Sequence, residues 1–221
     1  MLEAKGIEKS YGALKVLKGV DLVVRKGEIV SIVGASGAGK STLLHILGTL
    51  DTPDKGTVKV NGLNVFHQSS NALAAFRNRH IGFVFQFHNL LPEFSALENV
   101  MIPGFLSGKP DWEVRARANQ LLVELGLQDR LDHKPSELSG GEQQRAACAR
   151  ALMNAPDIIL ADEPSGNLDS RNAKDLHELF FRLREKMGQT FIIVTHNQDF
   201  ANMADRKLEM RDGVVLGDGV S

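Results

Sequence analysis

One cysteine, one tyrosine and one tryptophan stand among 221 residues, and each scarcity narrows what the chain can be. The lone Cys148 admits no intrachain disulfide and fits a reducing compartment. Set among small residues of an apparent helix, it reads as packing rather than as a reactive thiol. No apolar run approaches the roughly 20 residues that a membrane-crossing helix needs, so membrane contact is expected only through a partner. No basic, apolar, small-residue leader opens the chain, and secretion is not expected. Charge of one sign is lacking too, since 26 basic residues face 27 acidic ones for a net charge of −1. A nucleic-acid binder usually carries a basic excess, and no nucleic-acid partner is expected here. No His/Cys/Asp spacing suggests a protein-built zinc site. Internal repeats, low-complexity tracts and long linkers are absent.

What is present is enough apolar residue, 43%, for one sizeable core, or for a core with a smaller lobe attached. Short β-like runs alternate with glycine turns over the first 65 residues: "LEAKGIEKSY", "VLKGVDLVVRKGEIVSIVG" and "GTVKVNGLNV". "KSTLLHILGTL" is helical and is ended by Pro53 and Gly56. "IGFVFQ" is a strand, and residues 93–155 carry helical periodicity. In "WEVRARANQLLVELGL" the expected apolar face holds Trp112, Leu121, Leu122 and Leu125. "DIILADE" and "TFIIVTH" read as buried parallel strands with function at their C-terminal ends. Between them Leu176, Leu179, Phe180, Leu183 and Met187 mark one face of an amphipathic helix. This order implies an α/β fold, a parallel sheet with helices on its faces, and a helical lobe at about 87–155 inserted into a core of about 1–86 and 156–221.

The chemistry begins at "GASGAGKS", residues 34–41, which follows the strand "EIVSIVG" and opens a helix. Gly34, Ala35, Ser36, Gly37, Ala38, Gly39 and Thr42 supply backbone that wraps phosphates. Lys40 reaches the β- and γ-phosphates, and the Ser41 hydroxyl can ligate Mg²⁺. At the end of "IILADE", Asp162 is placed to hold Mg²⁺ and Glu163 to activate an attacking water. His196, ending "FIIVTH", emerges where the next strand would meet a γ-phosphate and so could orient the water. His45, His67, His80, His88, His133 and His177 read as ordinary core or surface residues. Gln86 is either a Mg²⁺ or water contact or simply the end of a strand. Tyr11 is either a flat face for adenine or a half-buried strand aromatic. A second glycine-rich stretch, "ELSGGEQQRAACAR", bares N–H groups at another helix start, a second place to hold an anion.

The phosphate loop, "LSGGEQ", "LADEP" followed by "GNLDS", and the strand-end His196 together resemble the nucleotide-binding subunit of ATP-binding cassette (ABC) transporters. The resemblance covers essentially the whole chain. It implies one ATP-binding domain over 1–221: a P-loop NTPase with a RecA-like parallel sheet core, an N-terminal antiparallel β subdomain and an inserted α-helical subdomain. It also implies ATP and Mg²⁺ as cofactors and a homodimer closed through ATP. In that dimer Ser139, Gly140 and Gly141 contact the nucleotide held by the other copy, and Asp169 crosses the interface. "QFHNLLPEFSALENV", residues 86–100, is similar to the branch of the family that drives lipoprotein release. The alternative within the branch is a macrolide or peptide exporter or a cell-division complex. The same segment implies an integral membrane permease as partner, with the chain on the cytoplasmic face of a bacterial inner membrane. Phe87, Leu90, Leu91, Pro92 and Phe94 there serve as lobe core, as partner groove, or as both. Departures are few: Ser165 stands where many relatives have Thr, and "RAACAR" is smaller than the commoner aliphatic version. The chain stops soon after "EMRDG", which implies no appended regulatory domain.

Overall fold

The computed structural model describes residues 1–216. The chain opens with β1 (Leu2–Tyr11), β2 (Leu14–Val24), β3 (Ile29–Val33), α1 (Lys40–Leu47), β4 (Lys55–Val60) and β5 (Leu63–Asn64). It continues through α2 (Ser70–His80), β6 (Ile81–Phe85), α3 (Ala96–Leu106), α4 (Asp111–Glu124) and α5 (Gly140–Leu152). The last elements are β7 (Ile158–Asp162), α6 (Ser170–Met187), β8 (Thr190–Val194), α7 (Gln198–Met203), β9 (Arg206–Arg211) and β10 (Val214–Leu216).

Two sheets result. The first is antiparallel, in the order β2-β1-β4-β5, and the second runs β10-β9-β3-β8-β7-β6. In the second, β9, β3, β8, β7 and β6 are mutually parallel and β10 is an antiparallel edge. The sequence stretch around "DLVVRKGEIVSIVG" therefore splits between sheets. The Lys26–Gly27 turn separates β2, which pairs with β1, from β3, which lies between β9 and β8.

The all-apolar runs of β7 and β8 hide a period of two. Ile158, Leu160, Ile192 and Val194 pack with α1 and the antiparallel sheet, in one cluster with Leu43, Leu44, Leu17 and Val58. Ile159, Ala161, Phe191 and Ile193 face the other way, toward Ala146 and Ala149 of α5 and Phe180 of α6. Both faces are dry, so the strands carry no polar alternation.

The helices α3, α4 and α5 lie between β6 and β7 in the chain. Here one expected face is corrected. Leu121, Leu122 and Leu125 are buried, but Trp112 is 72% exposed, and Val114 and Ala118 complete the apolar stripe instead. Trp112 precedes Val114 by two residues, about 200° around the helix, and so points to the opposite side. Met187 likewise leaves the stripe of α6, exposed at its last turn, where Gly188 in the left-handed conformation ends the helix. The helix α2 carries no strong stripe, since Phe76 is its only buried residue; the Ser69 side chain, accepting from Ala72 N, starts it.

Candidate functional site

Register brings the chemistry to one edge. Phe85 pairs with Asp162, Asp162 with Val194, and Val194 with Ile32, so β6, β7, β8 and β3 end level with one another. Gln86, Glu163, His196 and the loop at 34–39 all follow those ends, at the carboxyl edge of a parallel sheet where ligands collect.

In the phosphate loop Ala35, Ser36 and Gly37 are exposed while Ala38 and Gly39 are buried. Gly39 adopts φ 100° directly before α1, and a Cβ there would lie 2.9 Å from Leu17 Cδ2, so the turn requires glycine. Helix α1 has no side-chain N-cap and no acid in its first turn. Its first N–H groups are left for an anion. Lys40 Nζ donates to the Gly34 carbonyl at 2.8 Å and to that of Ala35 at 2.9 Å, holding its charge over the loop. Ser41 is exposed on the next residue, and Thr42 is partly so.

Across the edge, Asp162 Oδ1 is buried with no hydrogen-bond partner among the described residues. An orphaned carboxylate oxygen is costly unless something charged completes it. Together with the Ser41 hydroxyl, these hard oxygen donors fit Mg²⁺. Among the described residues no group of three His, Cys, Asp or Glu is gathered to hold a metal. A cation here would share its ligands with a phosphate. Glu163 stands at φ 46°, with its N–H on Val194 O at 2.9 Å. A left-handed glutamate is uncommon and marks a position over-determined by its surroundings. Its Oε2 accepts from His196 Nδ1 at 2.7 Å and from His196 N at 3.1 Å. That contact places the hydrogen of a neutral ring on Nδ1 and leaves Nε2 as acceptor on a side chain 71% exposed. Gln86 is turned toward the loop before α6: its Nε2 donates to Asn167 Oδ1 at 2.9 Å, and Asn167 Nδ2 donates to Gln86 O at 3.2 Å.

Ser139, Gly140 and Gly141 lie elsewhere, at the start of α5. Ser139 caps the helix, and its N–H and Oγ both donate to Glu142 Oε2 at 2.8 Å. Those two bonds, with Arg130 Nε at 2.9 Å, hold the Glu142 carboxyl down at about 2. A Cβ on Gly141 would sit 2.3 Å from Asn172 Oδ1, and Asn172 is in turn bonded through N and Nδ2 to Asp169, the N-cap of α6. Ser139–Gly141 and Asp169 are thus neighbours. Among the described residues no hydrogen bond or ion pair joins Ser139–Gly141 to residues 34–42. Tyr11, at the end of β1, is exposed, with its hydroxyl on Asp51.

Residues 17–166 match the ABC transporter family. The chain belongs to that family. Among curated ABC proteins it is 59% identical over 216 residues to the lipoprotein-releasing system ATP-binding protein LolD of Bacteroides fragilis, covering 98% of this chain and 100% of the relative. It is 52% identical to the LolD of Geobacter metallireducens, with 99% of each covered. A solved dimeric ATP-binding cassette, described as a post-hydrolysis state bound to ADP and Pi, superimposes with a TM-score of 0.90 at 40% identity, over 98% of this chain and 97% of that one.

Several further residues buttress this ABC cassette, His177 as the core residue the sequence suggests and others that sequence reading missed. His177 is buried, stacked on Phe200 at 4.0 Å, with Nε2 3.0 Å from Ser165 Oγ; burial pushes its ring down to about 4. Gln144 of α5 is fully buried, donates to Phe85 O at 3.3 Å and is bonded to His88. Arg150 donates to the carbonyls of His88 at 2.8 Å and Asn89 at 2.6 Å. The segment after Gln86 is therefore fastened to α5. Within it Leu90 packs on the core, Asn99 ties down Leu91, Phe94 and Ser95, and Phe87 stays 71% exposed. No signal in the periodicity marks these partners, because they meet across elements. Beside this segment a groove of about 560 Å³ opens between α2 and β6 on one side and α3 and α5 on the other, with Phe85, Leu106, Arg77 and Arg150 in its walls.

Proposed function

We propose that this chain is the ATP-hydrolysing subunit of an ABC transporter for lipoprotein release, pairing with a second copy around ATP and driving separate membrane subunits. The division of the site carries the reading. A phosphate loop, an unpartnered carboxylate oxygen and a Glu–His pair share one sheet edge, while the second anion-binding helix start stands exposed on another element. A second copy laid head to tail would bring its own Ser139, Gly140 and Gly141 to that edge, with Asp169 beside them. The names of the curated relatives support the cargo, and the dimeric cassette with ADP and Pi supports the pairing. We assign the whole chain to one ATP-binding domain, its core at about 1–86 and 156–221 and its helical subdomain at about 87–155.

Roles follow from position. Residues 34–42 wrap the phosphates, Lys40 neutralises the terminal two, and Tyr11 offers a face to adenine. Mg²⁺, held by Ser41, Asp162 and Gln86, would neutralise charge on the β- and γ-phosphate oxygens. Glu163 takes a proton from the water that attacks the γ-phosphorus as the bond to the β-phosphate oxygen breaks. His196, anchored through Nδ1, presents Nε2 to orient that water. The groove beside Phe85 and Leu106 would seat the permease, with Phe87 at hand. No helix among the described residues is long and apolar enough to cross a membrane. The names of its relatives support a place at the cytoplasmic face of the inner membrane, held there by membrane partners.

Glu163→Gln tests the assignment. The variant should bind ATP as the unaltered chain does, accumulate as an ATP-dependent dimer, and lose turnover by about a hundredfold or more, the share of a general base. Turnover within threefold of the unaltered chain would remove Glu163 from the reaction.

A further inference from the structure

Three side chains at the end of β1 are locked to one another. Tyr11 Oη donates to Asp51 Oδ2 at 2.5 Å, and Lys9 Nζ donates to Asp51 Oδ1 at 2.6 Å and to Thr52 O at 2.7 Å. Lys9 Nζ also stands over the Tyr11 ring, 5.2 Å from its centroid. Lys9 is only 8% exposed, whereas Tyr11 is 51% exposed. The bond to Asp51 outweighs the desolvation of Lys9 and holds it charged, and its two anchors, Asp51 Oδ1 and Thr52 O, fix a geometry. The geometry fixed is that of the ring. The lysine covers one face through a cation–π contact, the carboxylate pins the hydroxyl, and the exposed remainder is free for another flat group.

Asp51 is also where the ring meets the phosphate site. It follows shortly after α1, the helix whose first residues are Lys40 and Ser41. Thr52 N and Lys9 Nζ both share its Oδ1, which fixes the carboxylate rotamer on the backbone it comes from. A rigid helix thus joins the phosphate grip to the ring. Held this way, the ring needs no ordering when a ligand arrives, and loss of that cost is what preorganisation contributes to affinity.

We propose that Asp51, with Lys9 behind the ring, is the positioning residue that sets Tyr11 as a platform for the nucleotide base at a fixed reach from the phosphate loop. The inference rests on the reading that Tyr11 stacks on adenine.

The test is equilibrium titration of the full chain with ADP and with ribose 5-diphosphate, which keeps the sugar and both phosphates but lacks the base. Tyr11→Ala should weaken ADP by about tenfold, the scale of one base–aromatic stack, and leave ribose 5-diphosphate within about twofold. Asp51→Ala and Tyr11→Phe should each weaken ADP by about fivefold, as one hydrogen bond does, again sparing ribose 5-diphosphate. The double variant should be no weaker than either single one, because both remove the same bond. Lys9→Met should weaken ADP by about threefold on the same pattern. If Asp51→Ala and Tyr11→Phe bind ADP like the unaltered chain while Tyr11→Ala does not, the positioning role is wrong and the stacking role survives. If Tyr11→Ala also leaves ADP unchanged, stacking itself fails. Equal weakening of both ligands by Asp51→Ala would place its effect on the phosphate loop and overturn the proposal. Should Asp51→Ala not fold, Tyr11→Phe and Lys9→Met carry the same comparison.

Discussion

Helices α1 and α5 both begin at glycine-rich loops that bare N–H groups, yet the two starts are built differently. At α1 the N-cap is Gly39, no side chain accepts from the first turn, no acid is present, and Lys40 arches over the preceding carbonyls. At α5 the N-cap is Ser139, and the Glu142 carboxylate already takes both its N–H and its hydroxyl, with Arg130 behind. One start presents positive potential to solvent, while the other carries an acid in its first turn that offsets part of that potential. A free phosphate is drawn to α1 and gains little at α5. What α5 offers is a rigid, pre-shaped edge at Gly140 and Gly141, useful to a phosphate already held by something else. This asymmetry is what a shared site needs, since a second loop that captured nucleotide on its own would compete with the first.

The largest effect expected from this contrast is in binding by the single chain. Lys40→Ala should weaken ADP by about a hundredfold, because charge-assisted bonds to phosphate are the strong ones. Ser139→Ala should leave ADP binding within about twofold and instead lower ATP-dependent pairing, read by light scattering in the Glu163→Gln background. If Ser139→Ala weakens ADP as much as Lys40→Ala does, the two helix starts are equivalent and the contrast fails.

A smaller effect is expected in stability. Glu142→Ala empties the first turn of α5 and strips Arg130 of its partner, and should cost about 1–2 kcal/mol in chemical denaturation. No acid stands in the first turn of α1 to be removed in the same way. An unchanged midpoint for Glu142→Ala would mean that water caps α5 as well as the carboxylate does.

The two helix starts were legible in the sequence, but as alike: both "LSGGE" and "GAGKS" read there as bare places for an anion, and the capping box that sets Ser139 and Glu142 apart is the structure's correction. The placement of Asp162, Glu163 and His196 at one edge was legible because buried parallel strands announce themselves as apolar runs, and their last residues end level. What sequence did not reveal is lateral. Lys9 meets Asp51, His177 meets Ser165, and Gly141 makes room for Asn172. Periodicity tells which way a side chain faces but not what it meets there. Trp112 was misassigned because three leucines of a true stripe drew in an aromatic residue lying on the opposite side. The helix α2 escaped notice because it buries one residue and so shows no stripe.

The finest test of the contrast is its pH dependence. The Glu142 carboxyl is held at about 2 in the folded chain, first by the Ser139 N–H, then by the Ser139 hydroxyl and Arg130, against an ordinary value of 4.5. A group whose folded value is depressed binds fewer protons folded than unfolded between those two values. Its contribution is therefore fully present above about 4.5 and is lost as pH falls toward about 2. Glu142→Gln keeps the capping geometry and carries no charge at any pH. The unaltered chain should thus exceed Glu142→Gln by about 1 kcal/mol at pH 7, less than Glu142→Ala costs, and the gap should narrow steadily below pH 4.5. Denaturation midpoints for both chains at pH 7, 4.5 and 3 measure it directly. A gap that stays constant across that range would mean the cap works through its hydrogen bonds alone. The charge at α5 would then be incidental, and the reason given for its weak hold on a free phosphate would be lost.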